Sequence, residues 1–350
     1  MSSTLVSPQL TPSMTRGKGV WAAAATRFKT DHVGLTSLVI VALFLLLVLA
    51  SGLGLVAKDW QVERGVPDAP PTFMGPAAKT ESVAIAAPTG PNVDISAVDP
   101  LAPRYAEWAE AAKKYQTKDA VRADTLPFGG DRLGRDVLAK AIKGAQVSIL
   151  VGVSAALLAT VIGTLLGAVA GFFGGKVGDL LEWVYNVFTA IPGILLIFAF
   201  AAVFGRGIGS VVLILGLAGW TGIYRLVRAE FIKHANRDYV RSAEAIGASN
   251  ASRMFRHILP NVSHVVLVQL SIHVVGFIKS EVILSYLGLG VGVDQVSWGT
   301  MLSEAQSELI LGHWWQLAAA TIFMAVFVTA FSLMTDALRD ALDPKLRGLE

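Results

Sequence analysis

Apolar residues in this chain come in long uninterrupted runs. They follow neither the spacing of an amphipathic soluble helix nor the alternation of a half-buried strand. Residues 33–57 carry no charge. About 20 apolar residues cross a bilayer's hydrocarbon core, whereas a signal-peptide core is only about 7–15 residues long. This run therefore predicts a retained membrane helix. Further runs follow at 147–173, 183–204, 208–224, 262–289 and 314–335. The second is rich in Gly and Ala, the third holds Pro192, the fourth is short, and the only formal charges of the fifth are Lys279 and Glu281. A proline is tolerated in a membrane helix where neighbours satisfy the freed carbonyl. The pattern predicts an all-α polytopic membrane protein with six transmembrane helices.

The polar stretches set its orientation. A segment at 1–32 carries Arg16, Lys18, Arg27 and Lys29. The loop 225–261 carries Arg225, Arg228, Lys233, Arg237, Arg241, Arg253 and Arg256, and the tail 339–350 adds Arg339, Lys345 and Arg347. By contrast, 291–313 has no Lys or Arg, and the short turn near Gly205 has only Arg206. The positive-inside rule places both termini and the 225–261 loop in the cytoplasm. Residues 58–146 then lie outside, and 147–338 form a five-helix core that includes the loop. The external segment holds nine of the 14 prolines, and 58–103 reads as an irregular insertion. Within 104–118, Tyr105, Trp108, Ala109, Ala112 and Tyr115 recur at helical spacing, with Glu110 four residues before Lys114. This amphipathic helix is expected to pack on the protein's own outer face rather than to receive a partner.

Composition narrows the chemistry. The 350 residues are 53% hydrophobic and 16% charged, against about 25% charged in soluble domains, which excludes an ordinary soluble enzyme. The absence of cysteine excludes a disulfide framework, a thiolate metal site and a Cys nucleophile. The net charge of +3 belongs to membrane-flanking loops rather than to a nucleic-acid surface. Gly174-Gly175-Lys176-Val177 lacks the first glycine and the Ser or Thr of a phosphate loop, and no HExxH or GxSxG occurs. None of the six histidines pairs with another at i, i+4. His264 and His273, in the fifth run, either line a polar path or pack. Lys279 and Glu281, two residues apart, face different ways on a helix. They mark either the outer boundary of that span or the outer mouth of a translocation path. No cofactor or metal is expected in this chain. A membrane enzyme would need paired catalytic groups within spans, and a secondary transporter would show repeated halves. The leading reading is a pore-forming subunit powered by something else, with a membrane enzyme and a secondary transporter as its alternatives.

The loop 225–261 is the most informative stretch. Asp238 can cap a short helix running through Ile246, and Gly247 can supply its left-handed end. Asn250 can cap a second short helix, with Arg253 exposed on it, which Pro260 forbids from continuing unchanged. Tyr239, Ala243 and Ile246 fall on one face of the first helix. Such a helix suits either a groove on another protein or the lipid headgroups, and the pattern alone does not choose.

This loop resembles the EAA loop of ATP-binding-cassette (ABC) importer permeases. Ser242-Ala243 stand in the two alanine places, Gly247 in the glycine place, and Ile258-Leu259-Pro260 in the hydrophobic–Leu–Pro close. Arg241 replaces the leading Glu, and Glu244 follows the alanine pair. Three more stretches are similar to the C-type subunit of the peptide/nickel permeases. They are Phe128 to Asp136 (FGGDRLGRD, with Asp131, Gly134, Arg135 and Asp136), Glu281 to Gly290 followed by Ser297-Trp298-Gly299, and the DALRDALDPKLR of residues 336–347. The resemblance covers about 30–57 and 125–347, and implies a type I importer permease fold. It also implies partners: a homologous permease subunit forming a heterodimer, two cytoplasmic ATPases that hold the ATP and magnesium, and an extracytoplasmic binding protein. The setting would be a bacterial inner membrane. The loop residues 241–248, with Ala245, Ile246 and Ala248 among them, and His257, Leu259 and Pro260 would seat on an ATPase. Peptides lead as cargo, with nickel chelates and other small solutes as alternatives.

Overall fold

The computed structural model describes residues 20–76, 98–114 and 122–342. Arg16, Lys18, Tyr115, Lys345 and Arg347 lie outside the described residues, as does most of the tail at 339–350. In chain order the helices are α1 (Val20–Thr30), α2 (His32–Gly52), α3 (Tyr105–Lys114) and α4 (Val137–Phe173). Next come α5 (Gly175–Ala190), α6 (Gly193–Phe204), α7 (Ile208–Gly219) and α8 (Thr221–Ala235). The last are α9 (Asp238–Ala245), α10 (Asn250–Ser252), α11 (Leu259–Tyr286), α12 (Trp298–Ile310) and α13 (Trp315–Leu342). Among the described residues there is no strand, only isolated bridges. Four helices are long and apolar enough to cross a membrane, or six if each of two bent pairs is one span.

The bent pairs correct two expectations. The run 183–204 is not one helix. α5 ends at Ala190, and α6 departs at 91° with Pro192 at the break. Without an N–H to give, Pro192 starts a new helix instead of kinking the old one. The short fourth run becomes α7 and α8, bent by 43°, and extends well past Tyr224. α4 begins ten residues before the predicted 147, so the end of the supposed insertion is helical. Asp136 accounts for that start, its carboxylate accepting from the N–H groups of Leu138 (2.8 Å) and Ala139 (3.3 Å).

α4 is the axle, with 37 residues and a length of about 55 Å. Against α8 its surface is glycine. A Cβ at Gly163, Gly167 or Gly171 would stand 2.6, 2.7 and 2.6 Å from the carbonyl oxygens of Trp220, Tyr224 and Arg228. Small residues every four positions let two backbones touch, the packing mode favoured where no hydrophobic drive separates protein from lipid. α4 thus joins two poles of the bundle. At one, the strap pole, residues 58–76 lie over 122–136: Arg64 and Gly65 N–H both donate to Gly134 O (3.0 and 2.9 Å). Gly134 has φ +76, and a Cβ there would meet Gly65 O at 2.0 Å. At the other, the loop pole, the end of α13 packs with Phe28 of α1.

α3 departs from expectation. It is exposed from Tyr105 to Lys113, and Tyr105 and Trp108 face each other at 5.8 Å, with the Arg104 guanidinium 5.7 Å from the Trp108 ring. The rings find a local partner in place of the outer face of the bundle.

Candidate functional site

At the loop pole, α8 passes into a knuckle. Arg237, not Asp238, is the residue preceding α9, and Asp238 occupies its first turn. The helix ends at Ala245, with Ile246 as its cap. Gly247 N–H donates to Glu244 O (2.9 Å) and Ala248 N–H to Ala243 O (3.0 Å), closing the helix in a Schellman turn. That turn requires a left-handed residue, and Gly247 has φ +86. Ser249 rather than Asn250 caps the next helix, accepting from Ser252 N–H at 3.3 Å. A serine with extended backbone is as good a cap, and it stands one residue earlier.

The predicted face of α9 is split. Val240 is buried in a cluster with Phe231, Met254, Ile258 and Val262 and Ala243 is buried as well, whereas Ile246 is 86% exposed. Tyr239 is turned aside, its hydroxyl 2.8 Å from His234 Nδ1. Arg241, Ser242, Glu244 and Ala245 are exposed, and Ala248 is half-buried. Arg253 is not exposed. Its guanidinium pairs with Glu244 Oε1 at 2.8 Å and lies 5.1 Å over the Phe172 ring near the end of α4. The knuckle is therefore tied both to α8, which it continues, and to α4.

Pro260 does not end the second helix, which runs on from Asn250 to Tyr286. The turn before it widens into a π-helix over Arg253–Ile258, where Leu259 N–H reaches back to Met254 O. The extra residue in that turn accommodates a proline with no N–H. His257 and Leu259 are half-buried here, and Pro260 is exposed.

Lys279 and Glu281 part company. Lys279 is exposed on α11. Glu281 is 0% exposed, with Oε1 accepting from Ser285 Oγ at 2.7 Å and Oε2 lacking a protein partner. The buried Ser148 hydroxyl beside this junction accepts from Trp298 N–H (3.2 Å). Glu281 thus reaches neither water nor headgroups, and it lines no mouth in this chain. It sits where α4, α11 and α12 meet.

The strap pole holds a knot of buried ions. Lys140 Nζ binds Asp131 Oδ2 (2.7 Å), Glu304 Oε2 (2.6 Å) and Gln316 Oε1 (3.0 Å). Arg135 Nε donates to the same Asp131 oxygen at 2.6 Å, and the other Asp131 oxygen accepts from Leu133 and Arg135 N–H. Burial pushes the Asp131 carboxyl up, but Lys140, the Arg135 N–H and the Arg135 charge together hold it below the usual carboxylate range. Asp131, Gly134, Arg135 and Asp136 are therefore the predicted half of this structure. Lys140, Glu304, Glu308 and Gln316 are the half that sequence reasoning missed. The available signal was an acidic segment, 291–313, with no Lys or Arg of its own.

Residues 163–348 match the family model described as "Binding-protein-dependent transport system inner membrane component". The chain is 36% identical over 220 residues to the dipeptide transport system permease protein DppC of Bacillus subtilis (strain 168), covering 63% of this chain and 69% of that protein. It is 35% identical over 238 residues to the oligopeptide transport system permease protein OppC of the same organism (67% and 78% covered). It is 39% identical over 222 residues to the glutathione transport system permease protein GsiD of Escherichia coli O157:H7 (63% and 73% covered). With more than half of its length matched by the family model, the chain belongs to the inner membrane components of binding-protein-dependent transport systems.

Proposed function

We propose that this chain is one of two permease subunits of an ATP-driven importer of di- or oligopeptides, and that it forms half of the translocation pathway with a homologous, different partner. The loop pole faces the cytoplasm, as its arginines and lysines favour, and the strap pole faces the outside, where a binding protein delivers cargo. Two cytoplasmic ATPases hold the ATP and magnesium and do the hydrolysis. Peptide cargo is supported by the similarity to permeases named for dipeptides, oligopeptides and glutathione.

The observation that carries this reading is the knuckle. It buries Val240 and Ala243 against its own bundle and presents Ile246 beside a glycine-terminated turn. An exposed isoleucine on a rigid, small-residue edge is an anchor for a groove. A push on α9 passes directly to α8, which is held to α4 along the glycine seam, so the loop can move the spans as a rigid body. Lys279 supplies a cation on the exposed face of α11 and lines the path near its outer end.

The test is uptake of labelled dipeptide into vesicles holding the assembled transporter. Gly247→Val should abolish ATP-driven uptake while the subunits still insert. Lys279→Ala should lower uptake with assembly intact. Normal coupled uptake by Gly247→Val would refute the knuckle's role.

A further inference from the structure

Two polar contacts join the strap pole's loops to the corner between α12 and α13. Glu308 Oε1 accepts the Arg132 N–H at 3.3 Å, and His313 Nδ1 stands 3.3 Å from Asp68 Oδ1. Both contacts are incomplete. Glu308 is 2% exposed, yet its Oε2 has no protein partner, and neither Asp68 Oδ1 nor His313 Nδ1 completes a hydrogen bond. The corner itself is rigid: His313 N–H donates to Glu308 O at 2.9 Å, and the His313 ring stacks on Trp315 at 4.9 Å.

The charges around this corner do not balance. Asp68 faces Glu308 from the strap, Asp131 from the turn before α4, and Lys140 from α4. Glu304 lies one turn back on α12, and Arg135 pairs with Asp131 and approaches Glu304. The Arg132 side chain is exposed and contributes only its backbone N–H. Lys140 is already shared among Asp131, Glu304 and Gln316. Asp68, Asp131, Glu304 and Glu308 therefore share the cations of Lys140 and Arg135.

We propose that this corner is a proton-operated fastener. With a proton on Glu308, the corner encloses a neutral carboxyl whose unpartnered Oε2 carries no bare charge, and the strap and the Arg132 turn can close over it. Acid then fastens the strap to the α12–α13 corner, and loss of that proton loosens it.

The environment of Glu308 agrees with this geometry. Burial pushes its carboxyl from 4.5 up to about 7, more than the Arg132 N–H and Lys140 can offset, and Asp131 and Asp68 push it the same way. The fastened form therefore holds a proton that the loosened form releases between those two values. Fastening is strongest at and below pH 4.5. It weakens by up to about tenfold per pH unit as pH rises towards 7, and above that this group adds no further change. The orientation proposed above decides only which compartment's protons count.

The native chain has no cysteine, so spin labels can be placed at Phe73→Cys and Leu311→Cys, two exposed positions on either side of the junction. Inter-label distances would be read in the assembled transporter in lipid nanodiscs at pH 5 and pH 8. The wild-type background should give one short, narrow distance at pH 5 and a longer, broader population at pH 8. Glu308→Gln, neutral at both values, should keep the short distance at pH 8. Identical distributions at pH 5 and pH 8 in the wild-type background would overturn the proposal, as would a Glu308→Gln variant that opens with rising pH as the wild type does.

Discussion

The two ends of α4 are built on opposite principles. At the strap pole, side chains of high charge are buried and bound to each other, with Lys140 wholly enclosed among Asp131, Glu304 and Gln316. At the loop pole, the important positions are small or apolar, and the one that stands out most is exposed: Ile246. A buried ion network tolerates few geometries, because each lost partner leaves a desolvated charge. It therefore fixes segments far apart in sequence. The knuckle is held to α8 and α4 on its inner side and leaves its outward face free. The first pole directs its specificity inward on its own fold; the second, in the function proposed above, directs it outward to a partner.

The largest effect should follow from breaking the knot. Lys140→Met strands Asp131 and Glu304, and removing one partner of a buried ion cluster costs about 3–5 kcal/mol. Thermal unfolding of the purified chain in detergent should show a large loss of stability. Adding Asp131→Asn and Glu304→Gln to the same chain should recover part of it, since no uncompensated charge then remains. A Lys140→Met chain as stable as wild type would mean that the knot is ornamental.

Next comes the seam that connects the poles. Gly167→Ala places a methyl group 2.7 Å from Tyr224 O, and α8 must move away. Overpacking of this kind costs roughly 1–3 kcal/mol. The same variant should lower ATP-driven uptake more than it lowers ATPase binding, because the knuckle is untouched while its link to α4 is loosened. Equal losses in both readouts would make α4 and α8 independent elements.

The contrast between poles also marks what could be read from the sequence. Long apolar runs announce α2, α4, α11 and α13 because the bilayer demands about 20 such residues in a row. Gly247 is legible because a left-handed helix end favours glycine at that place. The break at Pro192 and the π-turn before Pro260 are not legible, since a membrane proline can kink, break or be absorbed depending on its neighbours. The knot is half legible. Asp131 and Asp136 act on backbone within four residues of themselves, whereas Lys140 meets Glu304 across 164 positions and Gln316 across 176. No local spacing encodes such a pairing. Lys279 and Glu281 show the converse, as neighbours in sequence whose fates the helix separates.

A smaller effect is expected at Gly247. With nothing within 4 Å of a Cβ there, Gly247→Ala meets no clash and bears only the positive-φ penalty, about 1 kcal/mol. Circular dichroism and thermal unfolding should barely change. Co-purification of the ATPases should fall, because the turn sets the angle at which Ile246 is presented. Arg253→Ala is no neutral control for this experiment: it frees Glu244 and uncovers Phe172.

The smallest effect on stability, and the sharpest test of the contrast, belongs to Ile246. Because 86% of it is exposed, Ile246→Asp removes little packing, and the fold should change by no more than about 0.5 kcal/mol. If the loop pole directs its specificity outward, that same change should strip the ATPases from the purified complex. An aspartate would have to be desolvated in the groove that took the isoleucine, and burial of an unpaired carboxylate is costly. Val240→Asp, only six residues along the chain, should do the reverse. It places a charge in the cluster of Phe231, Met254 and Ile258 and should unfold the knuckle before any partner is involved. Unfolding midpoints and ATPase co-purification measured on both variants separate the two roles. The outward reading requires Ile246→Asp to be stable and unaccompanied; an Ile246→Asp chain that keeps its ATPases would leave the knuckle as an interfacial helix.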